Sequence, residues 1–219
     1  MIIIFLGPPG SGKGTQAKLL HQKLGGFYFE GGGVLRRKAE ETNPLGRKIK
    51  EIIYQQGKLV PDNLMKKILE DWLAGKDIKK GIIFDGFPRS LGQYQILKEI
   101  LLKKGEKINK VIFLKVSESV LVSRLSSRRV CPQCDLEFNL VTKPPKKDEI
   151  CDFCGTKLIQ RADDTPEVIK ARLKTYFEKT QPTVGLAKKE GILEEVDGER
   201  KIEEIHQEIL QSLGNTLKN

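Results

Sequence analysis

GPPGSGKGT, Gly7–Thr15, follows the apolar run Ile2 to Leu6 and decides how the chain is read. Five apolar residues without Gly or Pro read as a buried strand, and the residues after Thr15 read as a helix. Between them, Gly7 to Lys13 satisfies G-x-x-x-x-G-K. Glycine lets such a loop wrap so that backbone N–H groups point inward at phosphate oxygens, and the helix that follows adds its positive end. In this reading Gly10, Ser11, Gly12, Lys13, Gly14 and Thr15 form the cradle. Lys13 bridges the β and γ phosphates, and the Thr15 hydroxyl reaches a metal. The strict motif carries Ser or Thr at the position of Gly14, so the hydroxyl comes one residue late. A Gly-rich strand-to-helix turn without ligand is the alternative.

Further along, apolar runs mark strands at Ile82 to Phe84 and Val111 to Val116, with weaker ones at Phe27 to Phe29 and Ile192 to Val196. Thr15 to Leu24 puts Ala17, Leu20 and Leu24 on one helical face, and Ile202, Ile205, Ile209 and Leu213 make a second stripe. Strands alternating with helices predict an α/β fold: a parallel five-stranded P-loop sheet covered by helices on both faces. Two stretches leave that rhythm. Residues 31–60 read as helical, bounded by Gly31-Gly32-Gly33 and GKLVPD, and residues 125–162 hold the cysteines and little periodicity.

Composition narrows the function. At 219 residues the chain can bury roughly 70–75% of its unfolded surface, enough for a core without disulfides. No apolar stretch approaches the ~20 residues of a membrane span, and the N-terminal run is too short for a signal-peptide core. Translocation is not expected, which puts the protein in the cytoplasm. Lys and Arg outnumber Asp and Glu by 39 to 29, a formal charge of +10 that favours anionic partners without naming them. The only histidines, His21 and His206, sit in polar helical stretches and read as surface residues.

Three further motifs bear on chemistry. In IIFDGFPR, residues 82–89, Asp85 stands at the carboxyl end of a strand, where open α/β sheets place ligands, and can hold water on Mg²⁺. A turn-capping role for Asp85 is the alternative. Arg89 can clamp a phosphate bidentately. Cys131, Cys134, Cys151 and Cys154 form C-x2-C-x16-C-x2-C, the spacing of a structural Zn²⁺ site closed by four thiolates; a disulfide pair is the other possibility. Arg124, Arg128, Arg161 and Arg172 cluster around that stretch, with Asp163 and Asp164 able to pair with them. Arginines so placed stabilise the charge that spreads over a phosphoryl group in flight.

GPPGSGKGT, LRRK, GKLVPD, FDGFPRS with Gln93, SRLSSRRV, the two Cys pairs, QRADD, ARLKTY and VDG together make the chain resemble, nearly end to end, an adenylate kinase of the long-lid, zinc-bearing kind. GKGT is the phosphate loop of that family. The resemblance implies reversible phosphoryl transfer from MgATP to AMP, giving two ADP. It implies a core domain of residues 1–30, 61–126 and 163–219, an NMP-binding insert at 31–60, a zinc-binding lid at 127–162, and a monomer. It also implies lid closure against water, for which adenylate kinase is itself a standard example. Carried over by position, Gly10 to Thr15 hold the ATP phosphates, and Arg128, Glu137, Phe138 and Arg200 make lid and adenine contacts on the ATP side. Phe138 stands where the family usually has Tyr. Arg36, Arg89, Arg161 and Arg172 grip the AMP phosphate, Gly31, Lys58, Leu59, Val60 and Gly86 line the AMP site, Gln93 reads adenine, and Arg124 is a further transfer-site arginine.

EGGG, Glu30 to Gly33, departs from the family's usual Ser-Thr-Gly-Asp. Gly31 replaces a threonine that meets the nucleoside, and Gly33 an aspartate near the metal's water shell. Glycine also weakens a helix by ~1 kcal/mol per interior position. CMP, UMP or GMP is the nearest alternative acceptor. A zinc-ribbon nucleic-acid-binding ATPase, built on the basic charge and Lys143 to Lys147, is the alternative of another class. The chain lacks the interleaved aromatics of a stacking platform, so no nucleic-acid partner is expected.

Overall fold

A computed structural model describes residues 1–55, 58–161 and 163–216. Gly57 of GKLVPD, Ala162 of RADD and the last three residues lie outside the described residues. The strands are β1 (Ile2–Leu6), β2 (Phe27–Glu30), β3 (Ile82–Asp85), β4 (Lys110–Lys115) and β7 (Leu193–Asp197), in the order β2-β3-β1-β4-β7. Every pairing is parallel, with Phe5 opposite Asp85 and Glu30 opposite Asp85 in the register.

Every residue of β1 is buried because the strand is central and covered on both faces. Alternation then divides its side chains. Ile2, Ile4 and Leu6 join Phe29, Phe84 and Val111 under α4 (Asp62–Leu73), α5 (Leu91–Lys103) and α8 (Gln181–Lys189). Ile3 and Phe5 join Ile83, Ile112 and Val196 under α1 (Lys13–Leu24) and α9 (Ile202–Thr216). The stripe Ile205, Ile209 and Leu213 is buried as its period requires, with Ile202 only partly covered. Leu24 departs from expectation. It is exposed because α1 ends at that residue and Gly25 turns the chain away.

Residues 31–60 contribute α2 (Gly31–Ala39) and α3 (Pro44–Lys50), which runs on into a π-helical turn, Glu51–Gln55. Val34, Leu35, Ala39, Ile49 and Ile52 close their core against the sheet's first face. The cysteine-bearing stretch begins with a short hairpin, β5 (Arg128–Val130) and β6 (Glu137–Asn139), that no hydropathy pattern announced. Between β4 and the hairpin lies α6 (Glu118–Ser126), and α7 (Pro166–Thr175) follows the return. Among the described residues, no helix is long and apolar enough to cross a membrane.

Candidate active site

The phosphate loop lies between the carboxyl end of β1 and α1. Gly12, at φ 88° and ψ 4°, takes the left-handed conformation that lets the chain turn into the helix, and no side chain caps it. The first N–H groups of α1 are therefore left to a ligand. Ser11 is 1% exposed, and its Oγ has no hydrogen-bond partner within the protein. Lys13 donates to the Pro8 carbonyl at 3.2 Å, and burial pulls its ammonium down to about 8, against the pull of Asp85.

Asp85 ends β3 on the α1 side of the sheet, because Phe84 before it faces the other way. It is 6% exposed and accepts a hydrogen bond from the Tyr28 hydroxyl at 2.8 Å. Burial raises its pKa, opposed by Lys13 and by the Tyr28 bond. A Cβ on Gly14 would stand 3.1 Å from Asp85 Oδ2. This close approach accounts for Gly at the position where the strict motif has a hydroxyl residue.

One cavity of about 540 Å³ runs from this loop to α2 and to the hairpin β5–β6. Its walls include Gly10, Ser11, Gly12, Lys13, Gly14, Thr15, Asp85, Gly86, Arg89, Arg36, Lys58, Leu59, Arg124, Arg128, Glu137, Phe138, Arg161, Arg172 and Arg200, so the structure brings these sequence-predicted residues together. Gly31, Val60 and Gln93 stand behind the wall. A Cβ on Gly31 would meet the Gly86 carbonyl at 3.0 Å, so α2 packs close against the loop after β3. Gln93 is buried, with Oε1 accepting the Arg89 N–H at 2.9 Å and Nε2 reaching the Val60 carbonyl at 3.4 Å. The carboxamide expected to read a base is engaged within the protein.

The arginines are fixed by acceptors. Arg89 Nε donates to the Gly86 carbonyl at 2.8 Å, and burial together with Arg172 draws its pKa down to about 10. Arg128 forks onto Asp164 at 2.7 and 2.6 Å, and Arg172 reaches Asp164 at 2.9 Å and Asp163 at 3.0 Å. RADD thus orients guanidinium groups as expected. Arg161 is ion-paired with Glu137. Burial works against the Glu137 charge, but Arg161 and Arg128 hold its pKa below the usual range. Arg124 Nη1 donates to the Gly198 carbonyl at 2.8 Å, and Arg200 pairs with Glu208. Phe138 is 6% exposed and packs with Cys131, Cys151 and Leu158 under the cavity wall.

The four cysteine sulfurs lie within 4.8 Å of one another, the nearest pairs at 3.3, 3.5 and 3.7 Å. A tetrahedral Zn²⁺ with bonds of ~2.3 Å needs sulfurs about 3.8 Å apart, so the cluster fits that ion. None of the four is joined in a disulfide, and all four converge on one point, as a metal site requires and a disulfide pair does not.

Sequence reading missed Tyr28, whose bond to Asp85 spans 57 residues and follows from strand register alone. It also missed Glu30, which lines the cavity and pairs with Arg36 at 2.7 Å. A charged residue closing a strand beside Asp85 was the available signal. The histidines are partly exposed and take no part in the site: His21 stacks on Tyr28 at 5.4 Å, and His206 Nδ1 is buried without a partner. Neither lines the cavity.

A phosphate loop at the carboxyl end of a central parallel strand, a carboxylate beside it and seven arginines across one cavity define a P-loop phosphotransferase. A family model described as adenylate kinase matches residues 5–192. Similar curated proteins include an adenylate kinase of Kosmotoga olearia, 45% identical over 215 residues, covering 98% of this chain and 100% of the relative. One of Thermotoga neapolitana is 42% identical over 213 residues, 97% of this chain and 96% of the relative. One of Caldicellulosiruptor saccharolyticus is 40% identical over 214 residues, 98% and 99%. The chain belongs to the adenylate kinase family.

Proposed function

We propose that the chain transfers a phosphoryl group reversibly from MgATP to AMP, giving two ADP, with the residue roles that follow. The observation that carries the reading is the single cavity whose wall includes both the Lys13–Asp85 end and the Arg36–Arg89 end. Its volume falls in the usual range of small-molecule sites.

ATP phosphates take the loop N–H groups from Gly10 to Thr15, with Lys13 as the main counter-charge. Thr15 and Asp85 would hold Mg²⁺, Asp85 through water. Its partly satisfied carboxylate beside the cradle fits that role. Bound there, the ion would neutralise phosphate charge during transfer. Arg36, Arg89, Arg161 and Arg172 grip the acceptor phosphate, while Arg124 and Arg128 spread charge around the group in transfer. AMP phosphate is already ionised, so alignment and charge compensation suffice without a general base. The acceptor base sits by Gly31, Lys58 to Val60, Gly86 and Gln93. The long 3.4 Å bond from Gln93 to Val60 is the one a base would replace.

Residues 31–60 and 127–162 act as covers on a core of 1–30, 61–126 and 163–219, excluding water that would otherwise take the phosphoryl group. The cysteines hold a structural Zn²⁺ that folds the second cover, leaving no open position for catalysis. Four free thiols suit the reducing cytoplasm, and the protein acts as a monomer on ATP, AMP and ADP. ADP formation with MgATP and, separately, AMP, CMP, UMP and GMP tests the reading. Turnover with AMP alone is expected. Turnover with none of the four overturns it.

A further inference from the structure

In Glu30–Gly33 one residue of four has a side chain, and its carboxylate stands in the cavity wall. Glu30 ends β2 and precedes α2, and its side chain makes no capping bond to the helix. It folds over Gly33 instead: a Cβ on Gly33 would lie 2.9 Å from the carboxylate carbon of Glu30. From there Oε1 accepts Arg36 Nη2 at 2.7 Å. A Cβ on Gly32 would stand 3.1 Å from Arg36 Nη1 and 3.4 Å from Arg89 Nη2, so two guanidinium groups meet above Gly32.

Those two cations repel. Arg89 is pinned by the Gly86 carbonyl, but Arg36 rises from a helix with a side chain 37% exposed and has room to swing toward solvent. Glu30 supplies the opposing charge on its other side. We propose that Glu30 is a positioning residue of the acceptor site: its carboxylate holds the Arg36 guanidinium beside Arg89 before the monophosphate arrives, and the bare Gly33 leaves room for it. The proposal rests on the assignment of Arg36 and Arg89 to the acceptor phosphate. Ordering Arg36 in advance spares the incoming ligand that cost and shows in acceptor binding rather than in the transfer step. Glu30 also repels a dianion, but its charge is matched by Arg36, so ordering dominates.

The geometry supplies its own rescue. A carboxylate at position 33, three residues before Arg36 on the same helix, would fill the space Glu30 now takes. Glu30→Ser is expected to raise KM for AMP roughly three- to tenfold, with kcat and KM for MgATP within about twofold. Glu30→Ser/Gly33→Asp is expected to bring the AMP value back. AMP titration calorimetry and melting temperatures on the same proteins separate binding from folding. An unchanged or lower KM for AMP in Glu30→Ser overturns the proposal, as does failure of the folded double variant to recover. Arg36→Ala distinguishes the two levels. If it raises KM for AMP while Glu30→Ser does not, only the role of Glu30 falls; if it leaves KM for AMP unchanged, the acceptor-site assignment falls with it.

Discussion

Replacing Asp164 should damage stability and turnover together. Its side chain is wholly buried and accepts three charge-assisted hydrogen bonds, at 2.7 and 2.6 Å from Arg128 and 2.9 Å from Arg172. Arg128 opens the hairpin by which the chain enters the cysteine-bearing segment, Asp164 stands where it returns, and Arg172 belongs to α7. One carboxylate therefore ties both ends of that segment to the core. Three such bonds at about 1.5–3 kcal/mol each overstate the loss. Arg172 keeps Asp163 at 3.0 Å, and Arg128 still feels Glu137. Breaking a buried pair and stranding its partner costs about 3–5 kcal/mol, and Asp164→Ala should fall in that range. For a chain of this length that is a drop of roughly 6–20 °C in melting temperature.

Both arginines line the cavity, so misplacing them should lower kcat by about 10²-fold. Asp164→Asn keeps shape and one oxygen but loses the charge, and should fall between Ala and the parent. Reversible calorimetric melting and ADP formation at saturating nucleotides are the assays. A melting temperature within about 2 °C of the parent and an unchanged kcat for Asp164→Ala would refute the argument that this carboxylate organises the arginines.

Metal removal should be equally selective. A thiol-reactive mercurial should release one Zn²⁺ per chain, and Cys151→Ser should lower the melting temperature and kcat while far-ultraviolet dichroism of the main sheet persists; a metal content of zero in the purified protein would remove the basis for this. The pH profile should report Lys13, whose ammonium is drawn down to about 8 by burial. A lowered lysine is charged below that value and neutral above it, so kcat/KM for MgATP should fall as pH rises through about 8. Bound phosphate favours the charged form, so the limb in kcat should lie higher, and a flat kcat/KM profile to pH 9.5 would contradict the assignment.

The strands were legible from hydropathy, yet their ends were read wrongly for a physical reason. Sequence reading closed β2 at Phe29, β3 at Phe84 and β7 at Val196, whereas pairing continues to Glu30, Asp85 and Asp197. The carboxyl ends of parallel strands face the ligand crevice, so polarity returns there while the backbone still pairs. In those three strands the end chosen by hydropathy stops one residue short of the residues that matter most, whereas β1 ends at Leu6 as read and β4, read as Val111 to Val116, spans Lys110–Lys115. Gly14 shows the converse. As sequence it was a blemish in a motif; in the fold it is the clearance that lets Asp85 approach the start of α1.

The cradle and the cysteine cluster were readable because their residues lie close together in sequence. Tyr28 with Asp85 and Arg161 with Glu137 were not, being 57 and 24 residues apart and joined only by sheet register or by the folding of the cysteine segment; Asp164 was expected to pair with a guanidinium group, but sequence did not say which, and Arg128 lies 36 residues away. EGGG combines both cases. Sequence shows side chains missing at 31 and 33, and from that alone one infers a weakened acceptor site. Three dimensions show what the missing side chains admit: α2 closing onto the Gly86 carbonyl at Gly31, two guanidinium groups above Gly32, and the Glu30 carboxylate over Gly33. A glycine in a site is as much a volume given to a neighbour as a group removed. Which of the two governs depends on whether a charged neighbour can reach the space, and here Glu30 does, at 2.7 Å from Arg36.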